Sequence, residues 1–198
     1  MLWAHYVDNL DVLLRSLSVR SGDGEEETDG AIALWAEKTI HVRKQLRTVF
    51  LIGNGASASM ASHVAADLAK NAHVHTEVFS DLSLITAIAN DMSYEEVFAE
   101  PLRRRMKNGD MLVAISSSGQ STNVLRATRE AKHLGGFVVT LSAMGSENTL
   151  RGLGHLNFYV PAETYGMAET CHAAILHYWI DQMVNTVNGS GKRKSENE

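Results

Sequence analysis

Short apolar runs alternate with helically periodic segments along most of this chain. From residue 48 the pattern predicts, in order, strand 48–52, helix 57–71, strand 76–79, helices 83–89 and 93–106, strand 111–115, helix 121–134, strand 137–142, a short helix 147–152, strand 156–160 and helix 164–187. Uninterrupted apolar strands separated by helices are typical of a parallel sheet covered by helices on both faces. The predicted fold class is therefore α/β.

Two amphipathic helices are predicted ahead of this alternation. In the first, apolar residues recur at steps of three and four: Trp3, Tyr6, Leu10, Leu13 and Leu17. The second spans about 29–47 and carries an apolar stripe of Ile32, Trp35, Ala36, Ile40 and Leu46. Residues 20–30 between them are polar and rich in glycine, which predicts a solvated connector rather than an acidic binding site.

The apolar pattern stops near the C-terminus. We expect the last helix to end at Asn188-Gly189, and residues 190–198 contain too few apolar side chains to join a core, which predicts a disordered tail. With 198 residues, 44% of them hydrophobic, the chain is long enough for one core. We predict a single domain over 1–189 that includes an N-terminal helical extension over about 1–47.

Charge and cysteine content narrow the possible partners. The formal net charge is -5, and the lysines and arginines are scattered among carboxylates, so direct binding of nucleic acid is not expected. The single Cys171 excludes an internal disulfide, and no apolar run approaches the length of a membrane span or a signal peptide. We expect a soluble cytoplasmic protein without membrane attachment.

Two turns are the main functional signal. Residues 53–57, Gly-Asn-Gly-Ala-Ser, and residues 116–121, Ser-Ser-Ser-Gly-Gln-Ser, each follow a predicted strand and open a predicted helix. Helix N-termini and hydroxyl groups donate hydrogen bonds to anions, so the pair predicts binding of one phosphorylated ligand. Ordinary strand-to-helix connections with capping serines remain the alternative. A dinucleotide site is less favoured, because Ala58 stands where that motif has its third glycine.

In this order and spacing, the two turns and the dipeptide Asn90-Asp91 resemble the SIS (sugar isomerase) domain family, and within it the phosphoheptose isomerases, over about 34–184. The resemblance implies a flavodoxin-like three-layer α/β/α sandwich with a five-stranded parallel sheet. It also implies a homotetramer with active sites between subunits. The implied activity in carbohydrate metabolism is aldose–ketose isomerisation of a sugar phosphate, namely of sedoheptulose 7-phosphate to D-glycero-heptose 7-phosphate.

Histidines and carboxylates on two predicted helices suggest a metal site. His63 and Asp67 lie four residues apart on one helix, while Glu169, His172 and His177 share a broad face of the last helix. Two imidazoles and two carboxylates form a reasonable tetrahedral set for Zn²⁺. The resemblance points to His63, Asp67, Glu169 and His177 as the ligands of one Zn²⁺ per subunit. Burial as structural histidines remains open for His63 and His177, and is favoured for His172.

The reaction and the ligand contacts follow from the same resemblance. An enediol mechanism needs a base and an acid, for which the matching positions are Asp67 and His177. The predicted phosphate contacts are Ser57, Ser116, Ser118 and Ser121, with Ser117 beside them. Asn54 and Asp91 are expected to contact sugar hydroxyls, although Asp91 also suits a helix cap. Gly55 and Glu169 complete the predicted substrate-binding set.

Three departures from the best-known phosphoheptose isomerases affect these expectations. Asp67 replaces a Glu and Glu169 replaces a Gln, while Gly166 and Met167 replace an Asp-Arg pair. A different sugar phosphate therefore fits these changes as well as sedoheptulose 7-phosphate does. The alternative class is a non-catalytic SIS protein that binds a phosphosugar as a regulator or associates with a replication initiator. An enzyme is favoured, because both helices keep a histidine and a carboxylate.

Overall fold

The computed structural model describes residues 2–22 and 24–195. The helices are α1 Trp3–Arg15, α2 Thr28–Lys44, α3 Ala56–Ala72, α4 Leu82–Asp91, α5 Ala99–Arg105, α6 Thr122–His133 and α7 Tyr165–Ser195. The strands are β1 Ser18–Ser21, β2 Gly24–Glu26, β3 Thr48–Gly53, β4 His75–Val78, β5 Met111–Ser116, β6 Phe137–Ser142 and β7 Leu156–Tyr159. Two 3₁₀ turns span Tyr94–Glu96 and Thr149–Gly152. No helix of the described ranges is long and apolar enough to cross a membrane.

One sheet of seven strands runs through the molecule in the order β2-β1-β7-β6-β5-β3-β4. The strands from β7 to β4 are mutually parallel, which confirms the predicted five-stranded parallel sheet. The chain reverses its direction of travel across the sheet between β3 and β5. Ligands of open parallel sheets bind beyond the carboxyl ends of the strands at such a switch point, and both predicted ligand-binding turns leave from these two strands.

The predicted solvated connector over 20–30 is wrong for most of its length. The chain there forms the antiparallel hairpin of β1 and β2, and β1 adds to the edge of the sheet antiparallel to β7. Val19 is fully buried, and the guanidinium of Arg151 donates to Ser18 Oγ at 2.7 Å. Edge pairing and one buried apolar residue thus outweigh a polar, glycine-rich composition that argues against a strand.

Side chains alternate between two apolar layers along each central strand. On β3, Val49 and Leu51 belong to the core covered by α2, α3 and α7, whereas Phe50 and Ile52 belong to the core beneath α5 and α6. This period of two is the geometry of a strand buried on both faces. The result is the predicted three-layer α/β/α arrangement.

Element boundaries differ from the sequence predictions in three places. The predicted helix 93–106 is divided into the 3₁₀ turn and α5, with Pro101 in the first turn of α5, where its missing N–H needs no partner. The predicted short helix over 147–152 is a 3₁₀ turn. Helix α7 continues past the predicted end at 187 to Ser195, because each added residue contributes a further backbone hydrogen bond. Residues 196–198 of the predicted tail lie outside the described residues.

Candidate active site

The two turns meet in one small cavity. Its volume is about 160 Å³, and its lining consists of Asn54, Ser57, Ile115, Ser116, Ser117, Ser118, Ser121, Tyr165 and Glu169. None of these lining residues is basic, so the hydrogen-bond donors are hydroxyls, an amide and backbone N–H groups. The carboxylate of half-buried Glu169 brings a negative charge to the same cavity.

Glycines allow both turns to bend tightly at the cavity. Gly55 has φ of +54° and Gly119 has φ of +62°, a region that side chains disfavour. A Cβ at Gly53 would lie 2.6 Å from Ser57 Cβ, and one at Gly119 would lie 1.9 Å from Asn148 Oδ1. The first helix can therefore begin close to β3, and the serine turn can pack against the loop that follows β6.

Most of the predicted substrate-binding residues line this cavity. Within the second turn, Ser116 Oγ donates to Ser121 Oγ at 3.2 Å, and Gln120 N donates to Ser118 Oγ at 3.3 Å. Gly55 and Asp91 are not among the lining residues. Asp91 is the last residue of α4, where its exposed carboxylate accepts a hydrogen bond of 2.9 Å from Asn90 Nδ2.

Three of the four predicted metal ligands form a second group. One potential ligand atom from each of His63, Asp67 and His177 lies within 4.8 Å of the others. His63 Nε2 lies 3.3 Å from Asp67 Oδ2, and the rings of His63 and His177 are 5.4 Å apart. Both histidines are exposed and Asp67 is half-buried, so the group is open to solvent. Glu169 is not a member of it, because it lines the serine cavity instead.

Helices α3 and α7 connect the cavity with the histidine group. Both begin at the cavity, where Ser57 and Glu169 line the wall, and both carry their histidine farther along. His63 follows Ser57 by six residues and His177 follows Glu169 by eight, which corresponds to about 9 and 12 Å of helix rise. One pair of helices thus places a polar anion-sized cavity and a carboxylate–imidazole group at a fixed separation.

Buried residues of α7 take no part in either group. His172 is fully buried, its Nε2 lies 3.1 Å from Ser142 O, and its Nδ1 has no partner. Burial lowers the pKa of His172 to about 4, although the hydrogen bond to Ser142 opposes that shift. Burial raises the pKa of the Cys171 thiol, which argues against a nucleophilic role. The structural role expected for His172 agrees with these surroundings.

Three residues that line the cavity or bond to its wall were not predicted from the sequence. Tyr165 lines it from the first turn of α7, four residues before Glu169, and this helical spacing was a usable signal. Asn123 and Tyr94 both bond the side chain of Asn54. No spacing rule links these two residues to Asn54, since they lie 69 and 40 positions away and meet it only through the fold.

Comparison with known proteins agrees with this architecture. The family model described as SIS domain matches residues 6–143. The phosphoheptose isomerase of Helicobacter pylori strain Shi470 is 38% identical over 140 residues, covering 67% of this chain and 72% of that protein. The phosphoheptose isomerase of Shewanella sp. strain W3-18-1 is 31% identical over 173 residues, covering 83% and 88%.

Solved structures show the same relationship. The phosphoheptose isomerase of Neisseria gonorrhoeae superposes with a TM-score of 0.71 at 26% identity, covering 78% of this chain and 86% of that one. A phosphoheptose isomerase from Francisella tularensis gives a TM-score of 0.71 at 25% identity, covering 79% and 86%. The match over residues 6–143, together with these relatives, shows that the chain belongs to the SIS domain family.

Proposed function

We propose that this protein is an aldose–ketose isomerase that interconverts sedoheptulose 7-phosphate and D-glycero-heptose 7-phosphate through an enediol. The carrying observation is the pairing of a serine-lined cavity with a separate carboxylate–imidazole group on the same two helices. The phosphoheptose isomerases among its relatives support this substrate class.

The separation of the two groups supports a long phosphorylated sugar. An extended seven-carbon chain spans about 10 Å from C1 to the phosphorus of a 7-phosphate, from standard bond lengths. The helix rise between the cavity and the histidines is about 9 to 12 Å. These similar lengths support the proposal that a phosphate in the cavity would leave C1 and C2 near His63, Asp67 and His177.

The cavity would hold the phosphate by hydrogen bonds. Ser57, Ser116, Ser118 and Ser121 supply hydroxyls, with Ser117 beside them, and the start of α3 adds its backbone N–H groups and dipole. Asn54 would contact a ligand oxygen, and Asp91 and Gly55 stay predicted contacts outside the cavity wall. The negative charge of Glu169 would disfavour the second negative charge of a bound phosphate, and its carboxylate would accept a hydrogen bond from a sugar hydroxyl.

The proton transfers are assigned to two side chains. The Asp67 carboxylate takes the proton from C2 of the aldose, or from C1 of the ketose, and returns it to the other carbon. His177 supplies a proton to the carbonyl oxygen and accepts one from the neighbouring hydroxyl, so that the sugar gains and loses no atoms overall. The 3.3 Å contact with His63 orients the Asp67 carboxylate for this task.

The same group fits a metal ion. His63, Asp67 and His177 offer two imidazole nitrogens and one carboxylate oxygen, a donor set that suits Zn²⁺ with one position left open. Bound there, Zn²⁺ would polarise the sugar carbonyl and stabilise the negative charge of the enediolate. Glu169 is not part of this group, so its role as a fourth ligand stays a prediction.

Assembly into a homotetramer is part of the proposal. Helix α1 buries no residue, and it exposes Trp3, Val7 and Val12 at 76%, 46% and 60%. Apolar side chains in such a patch are typical of a subunit interface. The cytoplasmic location and the absence of nucleic-acid and membrane partners remain predictions from the sequence.

The decisive experiment is isomerisation of sedoheptulose 7-phosphate by metal-analysed protein, with and without added Zn²⁺. Asp67→Asn and His177→Ala should each reduce kcat by at least about 100-fold, because each removes a group that moves a proton. His133→Ala, which changes an exposed histidine on α6, is the matched control and should retain full activity.

The outcomes separate the alternatives. Zinc-dependent turnover that both substitutions abolish would support the reaction and the two roles. Bound zinc without turnover would refute this substrate and indicate another sugar phosphate. A protein with neither zinc nor turnover would instead be a phosphosugar-binding regulator of the same fold.

A further inference from the structure

A reciprocal pair of amides joins the two turns of the serine cavity. Asn54 Nδ2 donates to Asn123 Oδ1 at 2.9 Å, and Asn123 Nδ2 donates to Asn54 Oδ1 at 2.9 Å. Asn54 follows β3, while Asn123 lies in the first turn of α6, immediately after the serine turn. Asn123 is only 1% exposed, so neither of its bonds competes with bulk water.

A backbone group fixes which way each amide points. The N–H of Val124, which can only donate, contacts Asn123 Oδ1 at 2.9 Å. This contact shows which end of the Asn123 amide is the oxygen. Because that oxygen accepts hydrogen bonds, the group of Asn54 that faces it must be the NH₂. Tyr94 Oη donates to Asn54 Oδ1 at 3.3 Å, so the Asn54 carbonyl already accepts two hydrogen bonds.

Within the described ranges, the side chain of Asn54 has one N–H without a hydrogen-bond partner. An amide side chain has two N–H donors and one carbonyl oxygen with two acceptor sites. Both acceptor sites and one donor of Asn54 are engaged, so its second N–H is the group left for a ligand in the cavity that it lines. Asn54 can therefore meet an acceptor oxygen of the ligand but not a ligand donor.

We propose that Asn123 is a positioning residue that holds Asn54 as a dedicated hydrogen-bond donor toward a phosphate or sugar oxygen in the serine cavity. The assignment rests on the proposed ligand-binding function of that cavity. It also explains why a fully buried polar side chain is present in the first turn of α6, where an apolar residue would pack without needing partners.

The test measures the affinities of the full-length protein for inorganic phosphate and for sedoheptulose 7-phosphate by calorimetry. The variants are Asn54→Ala, Asn123→Ala and the double variant. Asn54→Ala should weaken at least one ligand by about tenfold, as expected for the loss of one hydrogen bond to a charged group. Asn123→Ala should weaken the same ligand by a similar factor, and the double variant should lose no more than Asn54→Ala alone.

Controls distinguish positioning from simple loss of stability. Thr128→Val removes a buried hydroxyl of the same helix whose one described bond is to Val124 O, and it should leave both affinities unchanged. Asn123→Ser keeps a residue that suits the first turn of a helix but is too short to reach Asn54. It should reproduce the loss of affinity if Asn123→Ala does not fold.

Three results would overturn the assignment. They are an Asn54→Ala variant that binds both ligands normally, an Asn123 variant with unchanged affinity, and a double variant whose loss is the product of the two single losses. Failure of the proposed function has a different signature, since the wild-type protein would bind phosphate without converting sedoheptulose 7-phosphate. The phosphate titrations would still decide the role of Asn123.

Discussion

Acid should destabilise this protein through one buried histidine, and His172→Leu should remove that effect. His172 Nε2 faces a backbone carbonyl, Ser142 O, which can only accept, so Nε2 carries a proton. Nδ1 is buried without a partner among the described residues, and burial lowers the pKa of His172 to about 4, so the ring is neutral with a lone pair on Nδ1. Leucine is apolar, similar in size and a good helix former. Ser142 O keeps the hydrogen bond from Val160 N in the variant.

The size of the effect follows from linkage. The folded-state pKa of His172 is about 4, and its usual value is 6.5. Between these values the unfolded chain binds a proton that the folded protein does not, so stability falls as pH decreases from 6.5 toward 4. At pH 5 this difference costs the wild-type protein about 2 kcal/mol, and at pH 7.5 it costs almost nothing.

At pH 7.5 the variant and the wild-type protein should differ by about 1 kcal/mol or less. One hydrogen bond is lost, worth about 1 kcal/mol, while the penalty for an unpartnered buried nitrogen disappears. At pH 5 the variant should gain about 2 kcal/mol relative to the wild type. For a chain of this length, that gain corresponds to a relative increase in Tm of roughly 4–8 °C.

The assay is unfolding by urea and by heat at pH 5.0 and 7.5, at fixed protein concentration. His133→Leu, which changes an exposed histidine, is the control and should follow the wild-type pH dependence. Equal pH dependence of His172→Leu and wild type would refute the reasoning, because it would mean that the imidazole is protonated equally in both states.

Three further predictions concern the turns and the hairpin. Gly119→Ala should destabilise the fold by about 1–3 kcal/mol and abolish phosphate binding, because the new Cβ would overlap Asn148 and φ is positive. Denaturant unfolding and phosphate titration measure the two effects, and a variant with wild-type stability and affinity would contradict the turn geometry. Glu169→Gln should raise affinity for inorganic phosphate about 2- to 5-fold by removing one like charge, and a fall in affinity by calorimetry would contradict this. Arg151→Lys should speed hydrogen exchange of the backbone amides in the β1–β2 hairpin about tenfold, because Arg151 donates a hydrogen bond to Ser18 and lysine lacks the second donor group of arginine. Unchanged exchange would show that pairing of β1 with β7 is enough to hold the hairpin in place.

The central sheet was predictable because each buried strand is a continuous apolar run. Residues 49–52 and 111–115 have such runs, and the glycine or serine turns that follow them carry their own chemical signal. Since adjacent parallel strands end at the same edge, the meeting of the two turns also followed from the sequence. The serine-lined cavity is thus the part of the site that sequence patterns describe best.

Features set by long-range contacts were not predictable in this way. Residues 18–21 contain one apolar side chain, Val19, and become a strand only because β7 offers an unpaired edge. Asn123 looks like an ordinary residue of a helix start until the fold brings Asn54 beside it. The separation of Glu169 from the histidine group likewise depends on how α7 packs against α3. Helical periodicity alone placed Glu169 and His177 on one broad face of α7.

In the proposed reaction, the shared origin of α3 and α7 at the cavity would set the length of sugar phosphate that reaches from the cavity to the acid–base group. A sugar phosphate with one carbon fewer would bring its carbonyl about 1.3 Å short of Asp67 and His177. Deleting one residue between the cavity and the histidine would not correct this, because it turns the later side chains by about 100° around the helix. Changes of chain-length preference should therefore arise in the turns proposed to bind the phosphate, where residues can shift without rotating the proposed acid–base group.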